Sequence, residues 1–157
     1  SGGAGAPKVV FNVPYTGTGS TLSVGTSNNG IYQPIYVPAA MTVTKIGFEM
    51  AVSSGNISVA LYNSAGTRLA TTGAIAAGAA TNRWETIASQ ALTAGQYYIG
   101  ISADNTTVTF RIASGATTLH SDAVVVVASN HALPASFTPP TIPSGSTGRG
   151  PFIVALA

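Results

Sequence analysis

Short stretches in which apolar and polar side chains alternate recur along the chain and predict β-strands. In the stretch NISVALYN, residues 56–63, the apolar residues Ile57, Val59 and Leu61 occupy every second position. The stretch TVTFRIAS, residues 107–114, alternates in the same way. Because successive side chains of a strand point to opposite faces of a sheet, each stretch predicts a strand with one face in a core.

Segments of this kind are rich in Val, Ile, Thr and Tyr, and Gly or Pro separates them at intervals of about 8–12 residues. Helix signals are nearly absent. The pattern predicts an all-β protein, and we expect two antiparallel sheets packed as a jelly-roll-like β-sandwich. The predicted strands are 8–15, 20–25, 30–37, 42–52, 55–63, 68–73, 82–89, 95–103, 107–114, 122–129 and 151–157.

Glycines and short polar residues mark the predicted turns. The segment YNSAGTRLA predicts a hairpin in which Gly66 adopts a positive φ. We expect a second hairpin near Gly55 in AVSSGNIS, and a turn at Gly95 that leads into a long strand. Asp104 and Asn105 predict a further turn, because their short side chains can bond to the neighbouring backbone.

The length of 157 residues suits a single domain with one core. We interpret residues 1–7 as a flexible N-terminal linker, 8–40 as an N-terminal segment or arm with edge strands, and 41–157 as the sandwich core. Residues 8–40 and 41–157 belong to one domain in this interpretation. Pro34 lies within a predicted strand and, because proline donates no backbone hydrogen bond, it indicates an edge or a break there.

Four consecutive valines at 124–127 interrupt the alternation, since both faces of this strand are apolar. If one pair lies in the core, the other pair, taken here as Val125 and Val127, needs cover from elsewhere. The proline-rich segment 130–150 predicts an extended crossing of the surface. We expect the cover to come from that segment together with a neighbouring subunit.

Charged residues make up only 6% of the chain, against about 25% in a typical soluble domain. The cations are scattered, and no apolar run reaches the roughly 20 residues of a membrane span, which argues against nucleic-acid binding and membrane insertion. Depletion of charge is typical of interface cores. We therefore expect a homo-oligomer with the candidate interface residues Val125, Val127, Ile35, Tyr36 and Phe137. The alternative is a monomer with a surface rich in Thr and Ser.

The acidic residues do not form a catalytic pattern. Glycoside hydrolysis needs two facing carboxyl groups roughly 5–10 Å apart. Instead, we expect Glu49 and Glu85 to be outward charges that pair with Lys45 or Arg83.

The remaining candidates for chemistry are also few. His120, Asp122 and His131 match neither a hydrolase triad nor a zinc motif. Asp104 and Asn105 predict a simple Asx turn, with a calcium site as the alternative. The chain has no cysteine, which excludes disulfides and thiolate metal sites. We expect no catalytic residue, no metal and no cofactor.

Glycan binding needs flat aromatic faces for sugar rings and polar groups beside them for the hydroxyls. The candidate glycan contacts are Trp84, Arg83 and Tyr62. The alternative for Trp84 is a position that caps the core, where a buried aromatic ring contributes strongly to stability.

Several segments, in their order, resemble a known family. They are MTVTKIGFEMAVSSGNISVALYNSAGTRLATTG, WETIASQALTAGQYYIGISADNTTVTFRIASG, LPASFTPPTIPSG and PFIVALA. Over about residues 41–157 the chain resembles a jelly-roll domain that recurs in virion proteins of tailed bacteriophages, especially tail fibres and receptor-binding modules.

The resemblance implies a β-sandwich on the phage particle surface, usually multimeric and often trimeric in fibres, with other virion proteins as partners. It implies no catalytic residues. We expect a non-enzymatic attachment module that contacts the host cell surface. The alternatives are a capsid decoration protein that stabilises the phage head and, third, a glycan-binding module.

Overall fold

The computed structural model describes residues 11–12, 20–24, 27–79, 82–112, 125–128, 131–139, 152 and 154–157. Within these ranges the regular structure consists of strands, and no helix there is long and apolar enough to cross a membrane. The strands are β1 Phe11–Asn12, β2 Ser20–Leu22, β3 Asn29–Val37, β4 Met41–Val52, β5 Asn56–Asn63, β6 Arg68–Thr71, β7 Ile75–Ala76, β8 Asn82–Leu92, β9 Gly95–Ala103, β10 Thr109–Ile112, β11 Val125–Ala128 and β12 Val154–Leu156.

The strands form two antiparallel sheets. The first sheet contains β2, β10, β4 and β8 in that spatial order, and β12, with β1 beyond it, pairs with β4 on the same side as β10. The second sheet contains β3, β9, β5 and β6, with β11 added beside β3 and β7 pairing with β5.

This strand order is that of a jelly roll. If the eight principal strands β2, β3, β4, β5, β6, β8, β9 and β10 are counted along the chain, one sheet holds the first, eighth, third and sixth. The other sheet holds the second, seventh, fourth and fifth, which is the arrangement of two Greek keys in two packed sheets. The predicted all-β sandwich is confirmed.

Most of the turns lead from one sheet to the other. Gly55 has a φ of 59° as the predicted turn requires, but the predicted hairpin there is wrong, because β4 and β5 lie in different sheets. The two sides of β4 are already occupied by β8 and by β10 with β12, so β5 has no place beside it. The hairpin at Gly66 is confirmed, with a φ of 81° between the paired strands β5 and β6.

The main core lies between the two sheets and consists of the inward-facing residues of both. Phe110 is fully buried in it, with its ring 6.1 Å from the ring of Phe48 and 6.1 Å from that of Phe152. The polar side chain of Gln33 enters this core, where its Oε1 atom accepts a hydrogen bond from the backbone N–H of Phe152 at 3.1 Å. Ile35 is buried in the same core, so its predicted role in a subunit interface is wrong.

A second, smaller core lies on the outer face of the second sheet. Residues 131–139, which we call the strap, cross this face and cover Tyr32, Tyr62 and Tyr98. The ring of Phe137 in the strap stacks on that of Tyr32 at 3.9 Å, and it meets the rings of Tyr62 and Tyr98 edge-on. Phe137 is therefore buried within its own chain, and its predicted role in a subunit interface is wrong.

Hydrogen bonds fix the strap to the sheet below it. The Tyr62 hydroxyl donates to the carbonyl of Pro134 at 2.8 Å, and the Arg68 guanidinium donates to that of Leu133 at 2.7 Å. The backbone N–H of Phe137 donates to the carbonyl of Gly66 at 2.9 Å. These hydrogen bonds pair backbone polar groups of the strap, which does not pair with either sheet as a regular strand.

The valine strand forms as predicted, because β11 pairs with β3 through Val125 opposite Tyr32 and Val127 opposite Gly30. The side chains of β11 lie outside the described part of the chain, so their role in an interface stays a prediction. Pro34 lies past the part of β3 that pairs with β11, so β9 is its one described neighbouring strand. At such an edge position the sheet tolerates a residue without a backbone N–H.

Candidate functional site

The outer face of the first sheet differs from that of the second, because no described segment crosses it. The register places Trp84 of β8 opposite Gly47 of β4, and Gly47 opposite Ala155 of β12. On either side of this row, Thr86 lies opposite Lys45 and Asn82 opposite Glu49. We call this surface the Trp84 face; it comprises Lys45, Gly47, Glu49, Asn82, Trp84, Thr86 and Ala155.

The indole of Trp84 lies broadside over Gly47. A Cβ atom added at Gly47 would meet the ring atoms Cζ3, Cε3 and Cη2 at 2.8, 2.9 and 2.9 Å. These nearly equal distances show that the ring faces the backbone, because an edge-on ring would bring one atom clearly closer than the other two. Trp84 is half-buried, so one ring face covers the sheet and the other points away from it.

The glycine at position 47 is therefore what lets the ring lie flat. Sequence reasoning missed it, although a glycine inside an otherwise regular strand is a recognised signal of a close approach by another group. The same signal marks Gly100 on the second sheet, where an added Cβ would lie 2.9 Å from the Tyr62 ring and 3.2 Å from that of Tyr32.

A bulge in β4 sets the position of Lys45. The backbone N–H groups of Thr44 and Lys45 both donate to the carbonyl of Ala157, at 2.7 and 2.9 Å, so two residues oppose one. Val43 and Ile46, on either side of this pair, are both buried in the core. Thr44 and Lys45 consequently both lie on the outer side of the sheet.

Glu49 carries the negative charge of the Trp84 face, and it is paired. Its Oε1 atom lies 3.6 Å from the Nε atom of Arg111 on the neighbouring strand β10. The predicted pairing of Glu49 with Lys45 or Arg83 is wrong, because β10 brings Arg111 alongside β4. In the described part of the chain, neither ion pair includes Lys45.

Arg83 does not belong to the Trp84 face. It points toward the inner side of β8, where its guanidinium donates to the carbonyls of Ala76 and Ala77 and lies 5.9 Å from the centre of the Phe48 ring. It also pairs with Glu85, as predicted, but Glu85 lies on the inner side of β8 and is not the outward charge that the sequence predicted. These contacts tie the two sheets together at one edge and place Arg83 on the opposite side of β8 from Trp84, so the structure does not bring these two predicted glycan contacts together.

Tyr62 is likewise unavailable as a glycan contact, because it is completely buried beneath the strap. Burial raises the pKa of Tyr62 well above the usual phenol range, and the neighbouring Tyr32 acts in the same direction. Of the three predicted glycan contacts, the structure leaves Trp84 alone with an outward ring face.

The turn at Asp104 and Asn105 has the predicted Asx geometry. The Oδ1 atom of Asn105 accepts from the N–H groups of Thr107 and Val108, both at 3.0 Å. The Asp104 carboxylate accepts from the Asn105 side chain at 2.6 Å and from the backbone N–H of Asn56 at 3.0 Å. These hydrogen bonds, that from Asn105 first, lower the pKa of Asp104.

Nothing in the described residues assembles a reactive centre. Glu49 lies on the outer side of the first sheet and Glu85 on the inner side, so their carboxylates do not face each other across a common cleft. No three His, Asp or Glu side chains within the described ranges lie close enough together to hold a metal ion. His120 and Asp122 fall outside those ranges.

The described residues of the Trp84 face include no pair of groups arranged for acid–base or nucleophilic chemistry. The main feature of this face is an aromatic plane, which is flanked by the exposed polar side chains of Asn82 and Thr86 and by the charge of Lys45.

Comparison with known proteins adds no relative: no protein-family model, no curated protein and no solved structure matches this chain.

Proposed function

We propose that this chain is a non-enzymatic attachment module of a bacteriophage virion, which contacts glycans of the host cell surface through the Trp84 face. The observation that supports the proposal is the indole of Trp84, held flat over Gly47 with its second ring face directed outward. The jelly-roll strand order agrees with the fold implied by the sequence resemblance to phage virion proteins.

The chemistry of the Trp84 face suits a sugar. The apolar face of a pyranose packs against an aromatic plane, which buries C–H groups of the sugar without removing its hydroxyls from water. The exposed side chains of Asn82 and Thr86, beside Trp84, can donate to and accept from those hydroxyls. All three residues lie on β8, which is paired with β4, so their backbone is already ordered before a ligand binds.

The second sheet offers no comparable surface, because the strap already occupies the corresponding position. Its three tyrosines would otherwise form a larger aromatic platform than Trp84, but Phe137 and Leu133 cover them. This leaves the first sheet as the side of the sandwich on which we place the ligand.

Binding to an array of bacterial surface polysaccharides tests the proposal. Wild-type protein should bind at least one polysaccharide, and Trp84→Ala should abolish that binding while preserving the folded β-sheet signal in circular dichroism. Tyr36→Ala is the matched control, because Tyr36 is an exposed aromatic residue on the other sheet and its removal should leave glycan binding unchanged. Unaltered binding by Trp84→Ala, or no binding by the wild type, would reject the proposal.

Capsid decoration is a second candidate, favoured by a neutral exposed patch where β3 ends. Tyr36 is 65% exposed, and Pro38, Ala39 and Ala40 next to it are also exposed. No charged residue occurs between positions 9 and 44. A decoration protein of this kind buries neutral surface against the capsid or against further copies of itself.

Binding to capsids distinguishes a decoration protein from an attachment module. A decoration protein should bind matched capsids at a fixed stoichiometry and raise their disruption temperature, and Tyr36→Ala should weaken both effects while Trp84→Ala should not. Capsids that show neither saturation nor stabilisation would exclude decoration and leave the attachment module.

A further inference from the structure

We infer that the ligand of the Trp84 face is an acidic saccharide of the uronic acid type, whose pyranose ring stacks on Trp84 and whose carboxylate is bound by Lys45. This inference deepens the proposed function and rests on it, since it names the class of sugar for the same site. It begins from the cation that the β4 bulge places beside the indole.

Lys45 and Trp84 are diagonal neighbours across β4 and β8, because Lys45 lies opposite Thr86 and Trp84 lies opposite Gly47. Diagonal neighbours on one face of an antiparallel pair are about 7–8 Å apart at their backbones, within reach of a lysine and an indole. A sugar ring stacked on Trp84 therefore has the ammonium of Lys45 at its edge. The carboxylate of a uronic acid is attached directly to the pyranose ring, so it projects from that edge.

Among the described charged residues around Trp84, Lys45 is the one that can favour an acidic sugar over a neutral sugar. Glu49 pairs with Arg111 at 3.6 Å, and Glu85 pairs with Arg83 on the other side of the sheet. Lys45 belongs to neither ion pair of the described part of the chain, so its ammonium can contact a ligand without first leaving one of these two carboxylates. An anionic ligand gains attraction at this position, whereas a neutral sugar gains little from it and a cationic one is repelled.

The size of the expected selectivity follows from the partial exposure of Lys45. Exposed ion pairs contribute weakly and charge-assisted hydrogen bonds more strongly, which together correspond to about a threefold to tenfold preference for the acid. Because salt screens such a pair, the preference should shrink as ionic strength rises, while stacking on Trp84 should persist.

Trigalacturonic acid and its fully methyl-esterified form are a matched pair of probes, because the ester keeps the sugar ring and removes its charge. Trp84 is the only tryptophan of the chain, so its fluorescence reports directly on this site. Wild-type protein should bind the acid about threefold to tenfold more tightly than the ester. Lys45→Gln should bind both equally, and Lys45→Arg should restore the preference.

The outcomes separate this inference from the proposed function. Equal affinity of the wild type for acid and ester, binding of neither probe, or an unchanged preference in Lys45→Gln would overturn the inference. If a neutral polysaccharide on the array is bound and the binding is lost in Trp84→Ala, the attachment role stands and only the acidic ligand class fails. If Trp84→Ala binds the acid like the wild type, both fail.

Discussion

The outer faces of both sheets of this sandwich carry aromatic residues, but a described segment covers the aromatic residues of one face only. On the second sheet, the outward tyrosines Tyr32, Tyr62 and Tyr98 lie under the strap and form a closed second core. On the first sheet, Trp84 covers Gly47 and keeps an outward ring face. An outward aromatic residue on a strand is therefore part of a core where its own chain covers it, and it keeps an accessible ring face where no described segment covers it.

The difference follows from what each face offers the rest of the chain. The second sheet presents several rings above the small residues Ala60 and Gly100, and burying a ring of this size stabilises the fold by roughly 1.5–3 kcal/mol. The first sheet presents one indole among threonines, an asparagine and charges, which gives a covering segment little apolar area to bury.

Removing the central ring of the strap should have the largest effect on stability. Phe137→Ala leaves a cavity among three tyrosine rings, and we expect it to lower the free energy of unfolding by about 3–5 kcal/mol in denaturant titrations. Trp84→Ala, the equivalent change on the open face, should cost much less. If the two variants were equally stable, the distinction between a covered and an open face would be wrong.

Gly100 and Gly47 each lie beneath aromatic rings, so substituting them by alanine compares the covered face with the open face. Gly100→Ala should cost about 1–3 kcal/mol of stability, because the rings of Tyr62 and Tyr32 above it are held by the strap and cannot move away. Gly47→Ala should cost less, because Trp84 can tilt outward. Gly47→Ala should instead shift the fluorescence of Trp84 and weaken glycan binding. A larger loss of stability in Gly47→Ala than in Gly100→Ala would contradict the distinction between the open and the covered face.

The hydroxyl of Tyr62 tests how the strap is held. Tyr62→Phe removes the hydrogen bond to Pro134 and should cost about 0.5–1.5 kcal/mol. Because burial raises the pKa of Tyr62, its contribution is fully present below the usual phenol pKa of about 10 and is lost as the pH rises beyond it. Stability measured against alkaline pH should therefore fall more steeply in the wild type than in Tyr62→Phe.

The smallest effect should come from Asp104, which lies in a turn outside both faces. Its lowered pKa means that its contribution to stability is complete above the usual carboxyl pKa of about 4 and is lost as the pH falls below it. Asp104→Asn should reduce the dependence of stability on acidic pH and leave glycan binding unaffected. If the stability of this variant depended on acidic pH as strongly as that of the wild type, carboxyl groups other than Asp104 would dominate the acid dependence.

Local patterns were sufficient for the strands and for part of the turns. Alternation in residues 56–63 placed Ile57, Val59 and Leu61 on one face, and all three are in the main core. Gly66 and Asn105 form the predicted turns, because the chemistry that produces those turns is contained within a few residues. The hairpin expected at Gly55 failed, since which strand lies beside β4 depends on partners far away in the sequence.

The functional residues were harder to assign than the strands. Arg83, Trp84 and Tyr62 all satisfied the same sequence criterion, yet Arg83 bonds to Ala76 and Ala77, and Tyr62 lies under the strap. Period-two alternation distinguishes the two faces of a strand, but it does not say which of them the rest of the chain will cover.

The sequence alone determined that this protein is a sandwich of strands, because side-chain alternation and turn chemistry act between near neighbours. The tertiary structure decided which outward aromatic residues are buried. That choice depends on where the strap crosses a sheet, and its contacts join residues more than sixty positions apart, such as Arg68 with Leu133 and Tyr62 with Pro134. Burial is a property of such long-range packing, and no local pattern contains it.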